Sequence, residues 1–181
     1  MTILTSALGP YTLREIDEDS DDHDWLVELH NDPFVLHNLN DPNPITPCSH
    51  INWWFYGRNR NKDFRYIFTV DGVRVGFTKF IAVDKVNNNC LLGADIHKDH
   101  RGKGHAVPMW RLMLEYSFDH LKMWRVGLLT ASYNEIAQKV YRKVGFVEEG
   151  RQIQSLNRNG QYFDQICMYM TEPMYRTYKY E

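Results

Sequence analysis

The feature that most constrains the fold is a series of three strand patterns joined only by tight turns. They cover residues 65–70, 73–83 and 91–97. The first is aromatic and β-branched, Asp71-Gly72 after it is a two-residue hairpin signal, and Asn87-Asn88-Asn89 makes the second turn. Strands connected this closely pair antiparallel. The centre of the molecule is therefore predicted to be a sheet.

Helical and strand patterns on both sides of this series complete the predicted fold. Four helices are predicted: around Trp25, Leu26 and Leu29 up to Asp32-Pro33; around Ile51, Trp54 and Phe55, capped by Thr46 or Ser49 and ended by Gly57; over residues 106–121; and over residues 134–143 with Gly145 at the end. Further strands are predicted at residues 11–16 and 125–130, and residues 146–170 form a predicted hairpin turning at 157–160. We expect an α/β fold of the α+β type, with a mixed, mostly antiparallel central sheet flanked by helices.

Length and charge exclude several classes of protein. The 181 residues fit a single domain, residues 1–181, and a net charge of -2 argues against a nucleic-acid partner. The three cysteines are widely spaced, which indicates neither a disulfide framework nor a thiolate zinc site. We see no signal peptide and no apolar run of about 20 residues. A cytoplasmic protein with no metal and no membrane partner is expected.

A Gly-rich loop lies between the third strand and the long helix. It consists of His100, Arg101, Gly102, Lys103, Gly104, His105 and Ala106. Glycines let backbone N–H groups turn toward a bound anion, and the helix dipole contributes at the same place. Arg101 and Lys103 are expected to add charge toward a pyrophosphate. The spacing excludes a Walker loop, and a tight turn without a ligand is the alternative interpretation.

Two motifs in this order resemble the GNAT superfamily of acetyltransferases. Arg101, Gly104 and Ala106 match its Arg/Gln-x-x-Gly-x-Gly/Ala signature. Its Asn…Ala…Tyr…Gly-Phe segment is resembled by Asn134, Ala137, Tyr141, Gly145 and Phe146. The resemblance covers residues 11 to about 170. It implies the GNAT fold, with acetyl-CoA as the acetyl donor and a small-molecule amine as acceptor; a homodimer is common in the family.

The resemblance also implies where acetyl-CoA binds. In this family two neighbouring strands splay apart, and the pantetheine arm lies in the gap. Here Ile96, with His97 beside it, would offer its backbone to the pantetheine. The pyrophosphate would be held by the backbone of Arg101, Gly102, Lys103, Gly104, His105 and Ala106. Asn134 would also bind the cofactor, and a role as helix N-cap is compatible with that.

Two residues are predicted to carry the chemistry. A primary amine is only about one part in 10³ neutral at pH 7, so a base is expected. Asp95 is the candidate, since a partly desolvated carboxylate holds a proton more readily, and an ordinary ion pair is the alternative. His97 is a second candidate, with a solvent-facing histidine as the alternative. Related enzymes often carry Glu where this chain has Leu91.

Tyr141 occupies the position at which the family places a tyrosine near the sulfur of CoA. A phenol with a pKa of about 10 is a weaker acid than a thiol of about 8.5. Tyr141 is therefore expected to stabilise the developing thiolate through its O–H. A helical tyrosine packed in the core is the alternative interpretation.

The acceptor is less constrained by the sequence. The segment after Gly145 resembles the branch that contains spermidine and ribosomal-protein N-terminal acetyltransferases. Residues 17–24 include six acidic residues, which favour a polyamine, although they could merely solvate a helix entrance. A helix carrying His50, Trp53 and Trp54 resembles enzymes that act on nucleotide-linked amino sugars. A protein N-terminus, or a sensor that binds acyl-CoA without transfer, are further alternatives.

Overall fold

The computed structural model describes residues 3–5, 9–57 and 63–180, and within these ranges the strands form one eight-stranded sheet. The strands are β1 (Ile3–Thr5), β2 (Tyr11–Arg14), β3 (Phe64–Val70), β4 (Val73–Asp84), β5 (Asn89–Ile96), β6 (Arg125–Ala131), β7 (Val147–Arg158) and β8 (Gln161–Thr171). Their order in the sheet is β1-β2-β3-β4-β5-β6-β8-β7. The β5–β6 pair is parallel and the other pairs are antiparallel, which confirms the predicted mixed, mostly antiparallel sheet.

Helices cover the sheet. They are α1 (Asp22–Asn31), α2 (Pro33–Asn38), α3 (Pro47–Asn52), α4 (Ala106–Glu115), α5 (Glu135–Lys143) and α6 (Glu172–Tyr180). Short π-helical turns extend α3 over Trp53–Gly57 and α4 over Tyr116–His120. Thr46 caps α3 through a capping box with Ser49, so the sequence signal for this helix is confirmed.

The parallel pair is short, and this opens the sheet. Pairing between β5 and β6 covers only Asn89 to Leu91 against Arg125 to Gly127. Beyond that point β5 remains paired with β4, and β6 remains paired with β8 along its whole length. The two strands therefore diverge from Leu91 and Gly127 onward, leaving a gap between them.

The two faces of β5 lie in different environments. Leu92, Ala94 and Ile96 pack in the main core, which α4 covers with Met109 and Met113. The opposite face of the sheet carries a smaller cluster of Ile16, Leu26, Trp54 and Ile67 beneath α1 and α3. This alternation is the period of two expected for a strand, and it confirms the predicted face of Ile96.

Among the strands and α-helices of the described residues, β1, α2 and α6 lie outside the predicted elements. Asp32-Pro33 does end α1, but it also begins α2, because the Asp32 carboxylate accepts hydrogen bonds from Phe34 N and Val35 N. Pro33 fits the first helical turn, where an N–H has no helical partner.

The acidic segment 17–24 is only partly the solvated helix entrance expected from the sequence. The side chain of Asp22 is 1% exposed and makes a two-oxygen contact with Arg14, at 2.5 and 2.8 Å. Its Oδ1 also accepts from Arg74 at 3.2 Å, and Asp21 pairs with Arg74 at 2.7 Å. Two carboxylates of the segment are therefore neutralised by arginines, because folding buries one of them beside β2.

Candidate active site

A cavity of about 570 Å³ opens where β5 diverges from β6. We call it the loop cavity, and its lining comes from α2, β5, the Gly-rich loop, α4 and α5. The predicted site residues that line it are Asp95, Ile96, Arg101, Gly102, Gly104, His105, Ala106, Asn134 and Tyr141. The fold thus brings both sequence motifs, which are about 30 residues apart, onto one cavity.

The backbone of β5 is oriented to bind along this gap. His97 N donates to Val75 O at 3.0 Å, so the backbone of odd-numbered residues faces β4. Backbone groups alternate in direction along a strand, and those of Ala94 and Ile96 consequently face away from β4, into the gap. Amide groups of a pantetheine arm fit such an edge, as a further strand would.

The Gly-rich loop has the geometry of an anion site. Gly102 and Gly104 have φ of 73° and 85°, a region that favours glycine. A Cβ at either position would meet nothing within 4 Å, so it is the backbone conformation and not crowding that requires glycine. His105 is the N-cap of α4 and its side chain makes no capping hydrogen bond. The helix thus presents its first N–H groups to this end of the cavity, where a pyrophosphate fits.

The guanidinium of Arg101 contacts neighbouring elements, whereas the sequence led us to expect its charge to point at a pyrophosphate. Its Nη2 lies 2.6 Å from Asp32 Oδ1, and its Nε donates to Ile96 O at 3.0 Å. The guanidinium carbon also lies 4.7 Å from the centre of the Phe34 ring. Arg101 therefore ties the loop to the start of α2 and to the end of β5. Lys103 is exposed and outside the cavity lining.

His97 is neither solvent-facing nor part of the loop cavity. It is buried, and its ring stacks on Trp25 with centroids 5.5 Å apart. Its Nε2 lies 3.5 Å from Glu28 Oε1, and its Nδ1 accepts from Asp99 N at 3.4 Å. His97 follows the last residue of β5, where its side chain turns beneath α1 and its backbone N–H bonds to Val75 O of β4; the cofactor contact of His97 stays a prediction.

Tyr141 both packs in the core and faces the cavity. Its ring lies edge-on to Trp110, with centroids 4.8 Å apart. Burial raises the pKa of the Tyr141 phenol, and the negative charge of Asp95 raises it further, while a hydrogen bond with Thr130 acts in the opposite direction. The phenol therefore stays protonated at neutral pH and can donate a hydrogen bond into the cavity.

Asn134 has the capping role that the sequence left open. Its Oδ1 accepts from Ala137 N at 3.2 Å at the start of α5, and the residue also lines the loop cavity. The cap holds α5, and with it Tyr141, against the gap.

Two further cavities adjoin the gap on the side of α1 and α3. The gap cavity, about 330 Å³, includes Leu91, Lys79, Thr130 and Tyr141 in its lining. The helix cavity, about 370 Å³, is lined by residues that include Leu26, His50, Trp53 and Lys79. Asp95 lines all three cavities, so it lies at their junction.

Asp95 forms the ion pair that was its alternative interpretation. Its Oδ2 lies 3.5 Å from Lys79 Nζ, and the two side chains are 20% and 25% exposed. Lys79 was missed by sequence reasoning, because nothing in the strand pattern marks a lysine that lies diagonally across the sheet from Asp95. Its position opposite Gly93 is fixed by the β4–β5 register, which the sequence does not show.

His23 and His50 form a histidine pair, and His50 also lines the helix cavity. His23 Nδ1 and His50 Nε2 lie 3.1 Å apart, and the His23 ring packs edge-on against Trp54 at 5.2 Å. Burial, with the nearby charges of His23 and His30, lowers the pKa of His50 to about 4. His50 is thus neutral at pH 7. His23 was not singled out from the sequence.

In ranges 3–5, 9–57 and 63–180, no three His, Cys, Asp or Glu side chains are grouped so that they could hold a metal ion. Within the same part of the chain, none of the helices has the length and apolar character needed to span a bilayer.

Comparison with known proteins identifies relatives of this chain. The family model described as acetyltransferase (GNAT) domain matches residues 11–147. Spermidine N(1)-acetyltransferase from Escherichia coli (strain K12) is 29% identical over 111 residues, which cover 61% of this chain and 60% of that enzyme. The enzyme of the same name from Vibrio cholerae is 26% identical over 156 residues, covering 77% and 87%. A putative ribosomal N-acetyltransferase of Bacillus subtilis, YdaF, is 32% identical over 96 residues, covering 53% and 52%.

Solved structures have the same fold. The spermidine N-acetyltransferase from Vibrio cholerae in complex with CoA and spermine superposes with a TM-score of 0.86 at 24% identity, over 92% of this chain and 98% of the other. A chimera of that enzyme has a TM-score of 0.82 at 23% identity, over 93% and 99%. At this identity the likeness concerns the fold.

Proposed function

This chain belongs to the GNAT acetyltransferase family, and we propose that it transfers an acetyl group from acetyl-CoA to a primary amine, with a polyamine as the acceptor. The observation that carries the proposal is the loop cavity. There the outward-facing backbone edge of β5, the glycine loop at the start of α4 and the Tyr141 phenol meet. Each fits one part of acetyl-CoA, in order the pantetheine arm, the pyrophosphate and the sulfur.

The residues divide the chemistry between them. In the proposed step Asp95 takes a proton from the acceptor ammonium, and the neutral amine then attacks the thioester carbon. The C–N bond forms, the C–S bond breaks, and the leaving thiolate, which accepts a hydrogen bond from Tyr141, takes up the second proton that the amine nitrogen loses. Asp95 suits this role because it lies where the loop cavity meets the other two cavities.

Charge in the gap cavity supports a polyamine. The carboxylates of Asp41 and Asp95 both line it, and two carboxylates in one cavity favour an acceptor with more than one ammonium group. Lys79 must leave Asp95 when such an acceptor binds. The names of the relatives in Escherichia coli and Vibrio cholerae support the same substrate class.

An amino group on a nucleotide-linked sugar is a second candidate acceptor. The helix cavity is lined by His50 and Trp53, and the Arg65 guanidinium lies 4.5 Å from the centre of the Trp53 ring. An aromatic face suits a sugar or a base, and a guanidinium suits a phosphate. A protein N-terminus remains a third candidate, supported by the name of the Bacillus subtilis relative.

The site of action and the assembly state are also proposals. We propose a cytoplasmic enzyme, which the free thiols of Cys48, Cys90 and Cys167 support, because a reducing compartment keeps such thiols unpaired. We propose a homodimer because dimers are common in the family. Light scattering of the purified protein tests it.

The function is tested by release of CoA thiol from acetyl-CoA with purified protein. The acceptors are spermidine, spermine, putrescine, amino-sugar nucleotides and peptides with free N-termini, with a no-acceptor control. Selective turnover of the polyamines is expected. Selective turnover of a sugar nucleotide would move the acceptor site to the helix cavity. Binding of CoA without release for any amine would instead indicate a sensor.

A further inference from the structure

Lys79 places a primary amine of the chain itself beside the proposed base. Its Nζ lies 3.5 Å from Asp95 Oδ2. Lys79 is paired across the β4–β5 ladder with Gly93, two residues from Asp95 on the same face. A Cβ at position 93 would lie 2.6 Å from Lys79 Cε. The lysine arm therefore occupies the space that the glycine leaves, and this directs its amine to Asp95.

The same amine faces the other groups of the proposed reaction. Lys79 lines the gap cavity together with Thr130, Asn134 and Tyr141, and it lines the helix cavity as well. Its side chain is 25% exposed, so it is neither sealed in the core nor free in solvent. Lys79 thus has the chemical class of the acceptor, a candidate base within contact distance and a shared cavity with the candidate acid.

We propose that Lys79 is a self-acetylation site, modified at this centre when no amine acceptor is bound; the inference rests on the proposed use of acetyl-CoA. Asp95 takes a proton from the Lys79 ammonium, and the neutral Nζ forms an amide bond with the acetyl carbon. The C–S bond breaks and CoA leaves as the thiolate, which takes up the second proton that Nζ loses as it becomes an amide nitrogen. No oxidant or further reactant is needed.

The modification has a consequence for the acceptor site. Acetylation removes the charge of Lys79 and with it the attraction to Asp95. The carboxylate is then available to the ammonium of an incoming acceptor. Conversely, a polyamine bound at Asp95 displaces the Lys79 ammonium and protects it from acetylation. Lys79 and the acceptor are therefore competitors for one carboxylate.

Lys98 provides a matched control within the same molecule. Its Nζ also pairs with a carboxylate, Glu28 Oε1 at 2.6 Å, but it is 50% exposed and lines none of the three cavities among the described residues. Uncatalysed acetylation by acetyl-CoA in solution would favour the more exposed Lys98. Acetylation at the active centre would favour Lys79.

The experiment incubates the purified protein with isotopically labelled acetyl-CoA and locates the label by peptide mass spectrometry, with and without spermidine. In parallel, acetylspermidine is measured. We expect Lys79 to gain label about tenfold or more faster than Lys98, given what acid and base groups contribute to a rate. We also expect spermidine and Tyr141→Phe each to slow the labelling of Lys79. The K79R variant should lose this label from its intact mass.

The outcomes separate the two proposals. Equal labelling of Lys79 and Lys98, or labelling that spermidine and Tyr141→Phe leave unchanged, overturns self-acetylation. Production of acetylspermidine without label on Lys79 overturns it as well, while the proposed function stands. Label on Lys79 without turnover of any added amine supports self-acetylation and overturns the polyamine proposal. Absence of both reactions overturns both proposals.

Discussion

Asp95 and Tyr141 lie on different elements, β5 and α5, yet the carboxylate acts on the phenol across the gap. Burial raises the pKa of Tyr141 most, and the negative charge of Asp95 adds to it. The phenol therefore keeps its proton at neutral pH and can donate a hydrogen bond toward the gap. The charge of Asp95 can act on Tyr141 because β5 and β6 stop pairing after Leu91 and Gly127, which opens the gap that both side chains face.

The loop conformation can be tested at Gly104 with a control at Gly72. Both have positive φ, 85° and 80°, and a Cβ at either would meet nothing within 4 Å. Gly104→Ala and Gly72→Ala should each cost about 1–2 kcal/mol of stability through backbone strain. Only Gly104→Ala should weaken CoA binding, measured by calorimetry, since Gly72 lies in the β3–β4 turn. Equal CoA affinity in the two variants would remove the loop from the binding site.

The acidic segment 17–24 can be divided into structural and solvated parts. Asp22→Asn should lower the free energy of unfolding by about 3 kcal/mol, because it leaves Arg14 facing an uncharged group in a buried pair. Asp24→Asn removes the same charge from an exposed position and should change stability little. Denaturant unfolding measures both. A similar loss in the two variants would show that net charge matters and the Asp22 contacts do not.

The lowered pKa of His50 leads us to expect a loss of folding stability in mild acid. Its pKa is about 4 in the folded protein against about 6.5 for an exposed histidine, so between these values the unfolded chain binds more protons. Stability should therefore fall as pH is lowered from 6.5 to 4, with a contribution on the order of 3 kcal/mol from His50. His50→Gln should flatten this part of the curve of unfolding free energy against pH. Parallel curves for the two proteins would contradict the burial of a neutral His50.

Much of this fold could be predicted because local signals carry it. Asp71-Gly72 specifies the β3–β4 turn, and both residues have positive φ, at 50° and 80°. Thr46 with Ser49 specifies the start of α3. In contrast, α2 was not predicted. Pro33 was interpreted only as the end of α1, whereas it is also the first residue of α2.

The side-chain contacts between different helices and strands could not be predicted from the sequence. Arg101 reads as a cation for phosphate in the loop motif, but folding brings Asp32 within 2.6 Å of it. His97 reads as a strand residue on the face of Asp95, but Trp25 of α1 covers it. Lys79 becomes a candidate site residue only through the β4–β5 register, which places it beside Asp95. Such partners are set by tertiary packing, which no local pattern encodes.

The central claim is that the gap between β5 and β6 is the acetyl-transfer centre, and Tyr141→Phe tests it most directly. The variant keeps the ring that packs on Trp110 and removes only the O–H. Initial rates with acetyl-CoA and spermidine, together with the Kd for CoA, are measured for both proteins. Tyr141→Phe is expected to lower kcat about 10²-fold with little change in CoA affinity. An unchanged kcat would contradict the central claim.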